Sequence, residues 1–348
     1  MRILLVGNGF IGNRFISLYK ANYDFTILTR RNDNKLLDIK QYIVNENIAF
    51  DISCFENIDI VLYTAYDESY KNNITLLKKI YQNSKKFNIK KIIYLGTMSI
   101  YDFIDGKIDE NSKKQTIKEY YAYSKLLLNK LVKKYANEYN INTIILHPSI
   151  VLGKGGSWDF YAINSLLKTN IKLPNKGQGI ANIIHAEDVA NAINLAIQTS
   201  VTKNIEEILL SSDLQISWLD FYTMYKKLLI GLGYSSGNII FDDNQNKFAI
   251  SKKKDVIYHL LYTKLGFYIY KTILYLKKNN NFKRREITFN ENIIKGITEP
   301  VGIYKVLHNK QIKIDNSKIK NKLGISFLYN NKDILFNKLL EEYSQNKK

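Results

Sequence analysis

The chain has 348 residues, 45% of them hydrophobic, so it is long enough for a large core shared by two closely joined domains. Its net charge of +19 would suit a nucleic acid, but lysines spread along the chain argue against that partner, and a mildly anionic small substrate fits equally well. One cysteine, Cys54, excludes an intramolecular disulfide framework, and four scattered histidines lack metal-site spacing.

We find no pattern typical of export or membrane insertion. The apolar run Met1–Val6 leads directly into a glycine turn and is too short for a signal peptide. Lysines interrupt every stretch before it reaches the roughly 18 apolar residues of a transmembrane helix. We therefore expect a cytoplasmic protein without integral membrane association. In the segment 256–278, core packing with snorkelling lysines is favoured over a basic helix on a membrane surface.

Apolar runs of strand length alternate with lysine-rich helical segments in the first half of the chain. Strands are predicted at residues 3–6, 25–29, 58–63, 92–95 and 143–146, with helices that include 10–19 and 74–87. This alternation predicts an α/β fold with a Rossmann-type doubly wound parallel sheet.

The alternation stops after Gly153-Lys154-Gly155-Gly156. Beyond it the sequence is mostly helical, with short strands near 238–241 and 313–314. We expect a first domain over residues 1–155, to which 181–200 return, and a smaller, mostly helical second domain over 156–348.

Gly7-Asn8-Gly9-Phe10-Ile11-Gly12 follows a predicted strand and opens a helix. In that context the motif predicts a dinucleotide site, because glycines let backbone N–H groups approach a pyrophosphate at the positive end of the helix. The alternative is a tight turn without a ligand.

Where an NAD site places an acid against the ribose, the chain has Thr29-Arg30-Arg31. A guanidinium suits a 2′-phosphate, which favours NADP, with NAD possible; two arginines on a solvated turn are the alternative.

Tyr121 and Lys125 are four residues apart, which puts both side chains on one face of a helix. Free tyrosine titrates at about pH 10, so a phenolate at neutral pH needs a neighbouring cation such as Lys125. The spacing fits equally well an exposed helix start in a chain with 26 tyrosines. Other segments must decide between the two interpretations.

Several segments, in order, resemble the extended short-chain dehydrogenase/reductases of the nucleotide-sugar epimerase and dehydratase group. The group's catalytic strand end resembles residues 96–102, its Tyr-x-x-x-Lys falls on Tyr121 and Lys125, and its Arg-Pro segment is similar to 147–153. Later signatures resemble 184–190, 315–318 and 323–324.

The resemblance implies roles for the matched residues. It makes Thr97, Tyr121 and Lys125 the catalytic set, residues 1–155 the NAD(P)-binding domain and 156–348 the substrate-binding domain. With the glycine turn, it implies cofactor contacts from Gly7, Gly9, Phe10, Ile11, Gly12, Arg30, Asp51, Ile52, Ala65, Asn73, Tyr121, Lys125, Pro148 and Ile150. Substrate contacts fall on Met98, Ser99 and Ser149.

Departures from the group's pattern narrow the function. Met98-Ser99 replaces the Asp-Glu pair of the 4,6-dehydratases, which disfavours dehydration, and His147 replaces the usual arginine. A C4 epimerase or a ketoreductase for a nucleotide-linked sugar remains, and Arg30 slightly favours the reductase. The alternatives are a hydroxysteroid-dehydrogenase-like enzyme or aldehyde reductase, and a non-catalytic NADP-binding sensor or assembly protein. By analogy with the group, a homodimer is possible.

Overall fold

The computed structural model describes residues 1–114, 120–200, 204–241, 268–269, 287, 294–300 and 307–345. Strands in these ranges are β1 (Arg2–Val6), β2 (Asp24–Thr29), β3 (Lys40–Ile43), β4 (Ile60–Tyr63), β5 (Lys91–Leu95), β6 (Gly106–Ile108), β7 (Asn142–Pro148), β8 (Ile150–Leu152), β9 (Asn170–Leu173), β10 (Ile180–His185), β11 (Ile205–Leu210), β12 (Gln215–Ser217), β13 (Ile239–Phe241), β14 (Ile297–Thr298) and β15 (Ile312–Ile314). Helices there are α1 (Phe10–Tyr19), α2 (Tyr70–Lys86), α3 (Tyr120–Tyr139), α4 (Ser157–Lys168), α5 (Ala186–Gln198), α6 (Trp218–Gly231), α7 (Ser317–Leu323) and α8 (Lys332–Ser344).

A parallel sheet occupies the centre of the fold, and its strand order in the described residues is β11-β7-β5-β4-β1-β2-β3. Strand β1 is internal, because Ile3 pairs with Phe25 of β2 on one side and with Ile60 of β4 on the other. From β1, successive strands are added on one side as β2 and β3 and then on the other side as β4 and β5, so the direction in which strands are added reverses between β1 and β4. Such a reversal opens a crevice at the carboxyl ends of the strands, where α/β proteins bind ligands. The predicted Rossmann-type doubly wound sheet is confirmed.

Both faces of the sheet are buried, as the continuous apolar strands require. Successive side chains of β1 point to opposite faces. Ile3 and Leu5 pack in the core beneath α1 and α5, whereas Leu4 and Val6 pack in the core beneath α2 and α3. All four side chains are almost completely removed from solvent. Helix α3, which carries Tyr121 and Lys125, is therefore held against the sheet along most of its length.

Two strands at the edges of the sheet were absent from the sequence prediction. Strand β3 pairs with β2, and strand β11 pairs with β7 from Ile205 to Leu210. After α5, and beyond residues 181–200, the chain thus contributes a further edge strand to the central sheet. Helix α1 has the predicted bounds, 10–19.

The second part of the molecule packs around Trp218, Phe221 and Tyr225 of α6, which are completely buried against α4 and α8. Small sheets accompany these helices, with strand orders β12-β10-β8, β13-β9-β14 and β15-β6 among the described residues. The segment 256–278, for which membrane and core interpretations were weighed, lies outside the described residues except for 268–269. No helix in the described ranges combines the length and apolar character needed to cross a membrane.

Candidate active site

The glycine turn lies at the carboxyl end of β1, and each glycine has its own structural reason. Gly7 has a φ of +94°, and a Cβ there would lie 2.7 Å from Cα of Ala65. A Cβ on Gly12 would overlap the carbonyl oxygen of Gly7, so this glycine lets α1 pack closely on the turn. Gly9 is the N-cap of α1, and apart from its two chain neighbours no described residue lies within 4 Å of a Cβ built on it.

An open backbone face at a helix N-terminus suits a pyrophosphate. No side chain caps the first N–H groups of α1, so these donors and the helix dipole are available to an anion. Hydrogen bonds fix the turn from both sides: Thr29 Oγ1 donates to Asn8 Oδ1 at 2.6 Å, and Thr64 Oγ1 donates to the Gly7 carbonyl at 2.5 Å. The residues present therefore fit a bound dinucleotide.

The loop after β4 lies beside this turn. Asn73 organises the loop, since its amide donates to the carbonyls of Asp67 and Ser69 at 2.5 and 3.0 Å and accepts from the Asp67 N–H at 2.9 Å. Asp67 in turn forms an ion pair with Arg30, with 2.5 Å between Nη1 and Oδ2. The guanidinium predicted to meet a 2′-phosphate is thus paired with a carboxylate in this structure.

The predicted cofactor contacts Phe10, Ile11, Asp51 and Ile52 differ in their surroundings. Asp51 is exposed and accepts from the Ser53 N–H at 2.9 Å, which caps the short 3₁₀ helix Ile52–Phe55. This hydrogen bond holds the pKa of the Asp51 carboxyl below its usual value. Ile11 is buried in the core beneath the turn, whereas Phe10 faces the glycine-rich loop 153–156.

Tyr121 and Lys125 meet at the start of α3 around a third side chain, Tyr66. Tyr121 is 38% exposed, and its ring packs edge-on against the Tyr66 ring, with 5.3 Å between centroids. Lys125 Nζ lies 4.5 Å from the Tyr66 ring centroid and 5.9 Å from that of Tyr121. The Tyr66 hydroxyl is 3.1 Å from Ser124 Oγ. Sequence analysis missed Tyr66, although its position just after β4 places it at the ligand-binding edge.

Burial lowers the pKa of the Lys125 ammonium to about 8. The side chain is only 6% exposed, and the charged form loses hydration there. Lys125 therefore still carries its charge at neutral pH and loses it under mildly alkaline conditions. A buried, charged lysine beside an accessible phenol is the arrangement that can favour a phenolate.

Thr97 is buried at the end of β5 and begins a short 3₁₀ helix, Met98–Ile100. Its Oγ1 accepts from the Ser99 N–H at 3.2 Å and donates to Ser99 Oγ at 3.1 Å. Met98 is 6% exposed and packs in the core of the second part of the molecule. The structure thus joins the Thr97 and Ser99 hydroxyls, while the Met98 side chain points into the core.

Ser149 follows β7, the neighbour of β5 in the sheet, between Pro148 and Ile150. Its N–H donates to the Leu210 carbonyl at 2.8 Å. Its Oγ is buried and has no hydrogen-bond partner among the described residues. An unsatisfied buried hydroxyl costs free energy, and a polar ligand at this edge would satisfy it.

The histidine of the 184–190 segment serves the junction between α1, α5 and α8. His185 Nδ1 accepts from the Glu187 N–H at 3.3 Å and caps α5. Arg14 pairs with Glu342 at 2.6 Å and with Glu187 at 3.1 Å. His185, Glu187 and Glu342 present possible metal-ligand atoms within 4.8 Å of one another, but Arg14 pairs with both carboxylates and Lys338 pairs with Glu187. This cluster is an ion-pair network that joins three helices.

Comparisons with known proteins found a family model and solved structures that resemble this chain. The model of the NAD dependent epimerase/dehydratase family matches residues 3–209. MoeE5 in complex with UDP-glucose and NAD is similar in structure, with a TM-score of 0.67, 13% identity and 100% coverage of both chains. UDP-glucuronic acid 4-epimerase from Bacillus cereus with NAD has a TM-score of 0.65 and 17% identity to this chain. UDP-glucose 4-epimerase from Thermotoga maritima has a TM-score of 0.65 and 14% identity, and both comparisons cover 100% of each chain. Among curated proteins, no sequence matches the chain.

Proposed function

Since the chain belongs to the NAD dependent epimerase/dehydratase family, we propose that it is an NAD-dependent enzyme that epimerises a nucleotide-linked sugar at C4. One observation carries the proposal. Ala65 lies against Gly7 of the dinucleotide turn, and the next residue, Tyr66, lies against Tyr121 and Lys125. Two adjacent residues thus connect the candidate cofactor cradle to the candidate acid/base pair.

The residues around the crevice divide the work of holding the cofactor. The Gly7-Gly9-Gly12 turn would hold the pyrophosphate, and Lys125 would hold the nicotinamide ribose. When bound, the nicotinamide supplies the hydride acceptor and donor for the sugar carbon. The proposal uses NAD because Asp67 already pairs with Arg30, which reduces the charge available to a 2′-phosphate.

The chain's own side chains move the proton. Tyr121 Oη takes the proton of the sugar hydroxyl as its carbon is oxidised and returns it as the carbon is reduced. The Lys125 ammonium favours the phenolate by its positive charge. The Thr97 hydroxyl donates to the same sugar oxygen in place of Ser99 Oγ, its acceptor in this structure, and so stabilises the charge that develops on the sugar oxygen. Met98 and Ser99 provide no carboxyl pair for dehydration.

A second candidate is an NADPH-dependent ketoreductase for a similar sugar. Arg30 supports it, because no acid follows β2 in Thr29-Arg30-Arg31. The two candidates differ in how the cofactor is used: an epimerase keeps NAD and regenerates it in each turnover, whereas a reductase consumes NADPH in proportion to product. MoeE5 and the Bacillus cereus epimerase were both solved with NAD, which supports the first candidate.

The test is a pair of phenylalanine variants assayed with NAD and a panel of UDP-hexoses, with NMR detection of the C4 epimer. Tyr121→Phe should lower kcat by about 100-fold or more, because the general acid/base is lost. Tyr123→Phe is the matched control, since Tyr123 lies on the same helix but packs against the core of the second part of the molecule. NAD affinity should survive in both variants. Equal turnover in the two variants would remove Tyr121 from the mechanism.

A further inference from the structure

One face of α3 carries two pairs of polar residues at successive four-residue intervals. Tyr121 and Lys125 form the candidate acid/base pair, and Asn129 and Lys133 follow at the same spacing. Asn129 Nδ2 donates to Oε1 of Glu207 on β11 at 2.8 Å, and Lys133 pairs with Oε2 of the same carboxylate. The helix that presents Tyr121 is therefore anchored to the edge strand through Glu207.

The same carboxylate also holds a buried histidine. His147 Nε2 lies 3.1 Å from Glu207 Oε1, and the ring is completely buried. On its other side, His147 Nδ1 accepts the backbone N–H of Thr97 at 3.3 Å. The ring also lies directly against Gly96, the residue before Thr97, since a Cβ on Gly96 would be 2.5 Å from Nδ1. The imidazole thus connects Glu207 to the end of β5.

These contacts determine the tautomer of the ring. Since Nδ1 accepts from an N–H group, the proton of neutral His147 is on Nε2 and is donated to Glu207. Burial lowers the pKa of His147, so the ring stays neutral at neutral pH. A protonated ring would place a second N–H against that of Thr97 and break the contact.

We propose that His147 is a positioning residue for the reaction: with Glu207 it fixes the end of β5, and hence the Thr97 hydroxyl, relative to Tyr121 on α3. The inference rests on the proposed function. His147, which replaces the arginine usual in the resembled group, thereby receives a role. His147 does not reach the sugar in this scheme, because Nδ1 contacts a backbone N–H group and Nε2 contacts Glu207.

Two substitutions of His147 separate its two hydrogen bonds. In His147→Asn, the side-chain oxygen takes the place of Nδ1 and keeps an acceptor for the Thr97 N–H, but the reach to Glu207 is lost. In His147→Gln, the longer amide reaches towards Glu207 but leaves the Thr97 N–H without its acceptor. The matched control is His185→Gln, because His185 is also buried, also accepts a backbone N–H at 3.3 Å through Nδ1 and also lies beside a glutamate.

The readouts are kcat and KM for the sugar, NAD affinity, and residue-resolved hydrogen exchange at the Thr97 amide. His147→Gln should lower kcat by about tenfold, the effect of one lost hydrogen bond, and should leave KM and NAD affinity unchanged. His147→Asn should retain clearly more activity, and His185→Gln should change stability without changing kcat. If His147→Gln does not fold, Glu207→Gln is the second variant and should lower kcat by a smaller factor with KM unchanged.

Amide exchange at Thr97 should be faster in His147→Gln than in wild type or His147→Asn. An inactive wild type would refute the proposed epimerisation but not this positioning, which the exchange measurement tests independently of turnover. Equal kcat and equal Thr97 exchange in His147→Asn and His147→Gln would overturn the positioning role. Glu207→Gln with wild-type kcat and wild-type exchange would overturn it in the same way.

Discussion

Gly9→Ala should separate cofactor binding from folding. Gly9 has a φ of −73°, which alanine adopts without strain, and apart from the chain neighbours no described residue lies within 4 Å of the added methyl group. Alanine at a helix N-cap is less favourable than glycine, but it also reduces the entropy of the unfolded chain. These small effects have opposite signs, so the free energy of unfolding should change by less than about 1 kcal/mol.

The effect of Gly9→Ala on NAD should be much larger. A methyl group on the open face would hold the pyrophosphate away from the N–H groups of α1. The loss of one charge-assisted hydrogen bond costs about 1.5–3 kcal/mol, which corresponds to about 10- to 150-fold weaker binding. Gly12→Ala is the contrasting variant: its Cβ would overlap the Gly7 carbonyl oxygen, so overpacking should destabilise the fold by about 1–3 kcal/mol.

The assay is fluorescence titration with NADH, combined with chemical denaturation of each variant without cofactor. We expect Gly9→Ala to lose NADH affinity at nearly unchanged stability, and Gly12→Ala to lose stability. Wild-type NADH affinity in Gly9→Ala would show that the turn does not hold a pyrophosphate.

Three further predictions concern charged groups. Turnover should fall as pH rises through about 8, where Lys125 loses its proton, and Lys125→Arg should move this alkaline decline to higher pH, as a pH–rate profile would show. Asp67→Asn should remove its ion pair with Arg30 and tighten NADPH relative to NADH by up to about fivefold, the value of a partly exposed ion pair; an unchanged ratio in parallel titrations would contradict this. Burial raises the pKa of Asp159 to about 7, so the folded protein binds more protons than the unfolded chain between about pH 4 and 7. The free energy of unfolding should therefore decrease as pH rises across that window, and denaturation of Asp159→Asn should show a flatter dependence.

The sequence predicted the elements whose signals are local. Buried parallel strands have continuous apolar runs, and the glycine spacing reflects three positions where a Cβ is excluded or would block an open face. The spacing of Tyr121 and Lys125 places them on one helix face whatever surrounds the helix. The positions of these residues could therefore be predicted, whereas their catalytic roles remain proposals.

The elements that the sequence did not predict depend on contacts between distant residues. Strand β11 contains Glu206 and Glu207, which interrupt its apolar pattern, and Glu207 is tolerated there only because His147, Asn129 and Lys133 surround its carboxylate. Arg30 suggested a phosphate partner, but the loop after β4 brings Asp67 to it across the crevice. No spacing rule in one sequence predicts such pairings, since they depend on how the strands are ordered.

The most direct test of C4 epimerisation follows the hydrogen at the reacting carbon. The purified protein is incubated with a UDP-hexose deuterated at C4 and substoichiometric NAD, and the product is analysed by NMR. We predict a C4-inverted sugar that retains the deuterium, with no net consumption of cofactor. A reduced sugar formed in proportion to consumed NADPH, or a C4 hydrogen exchanged with solvent, would contradict it.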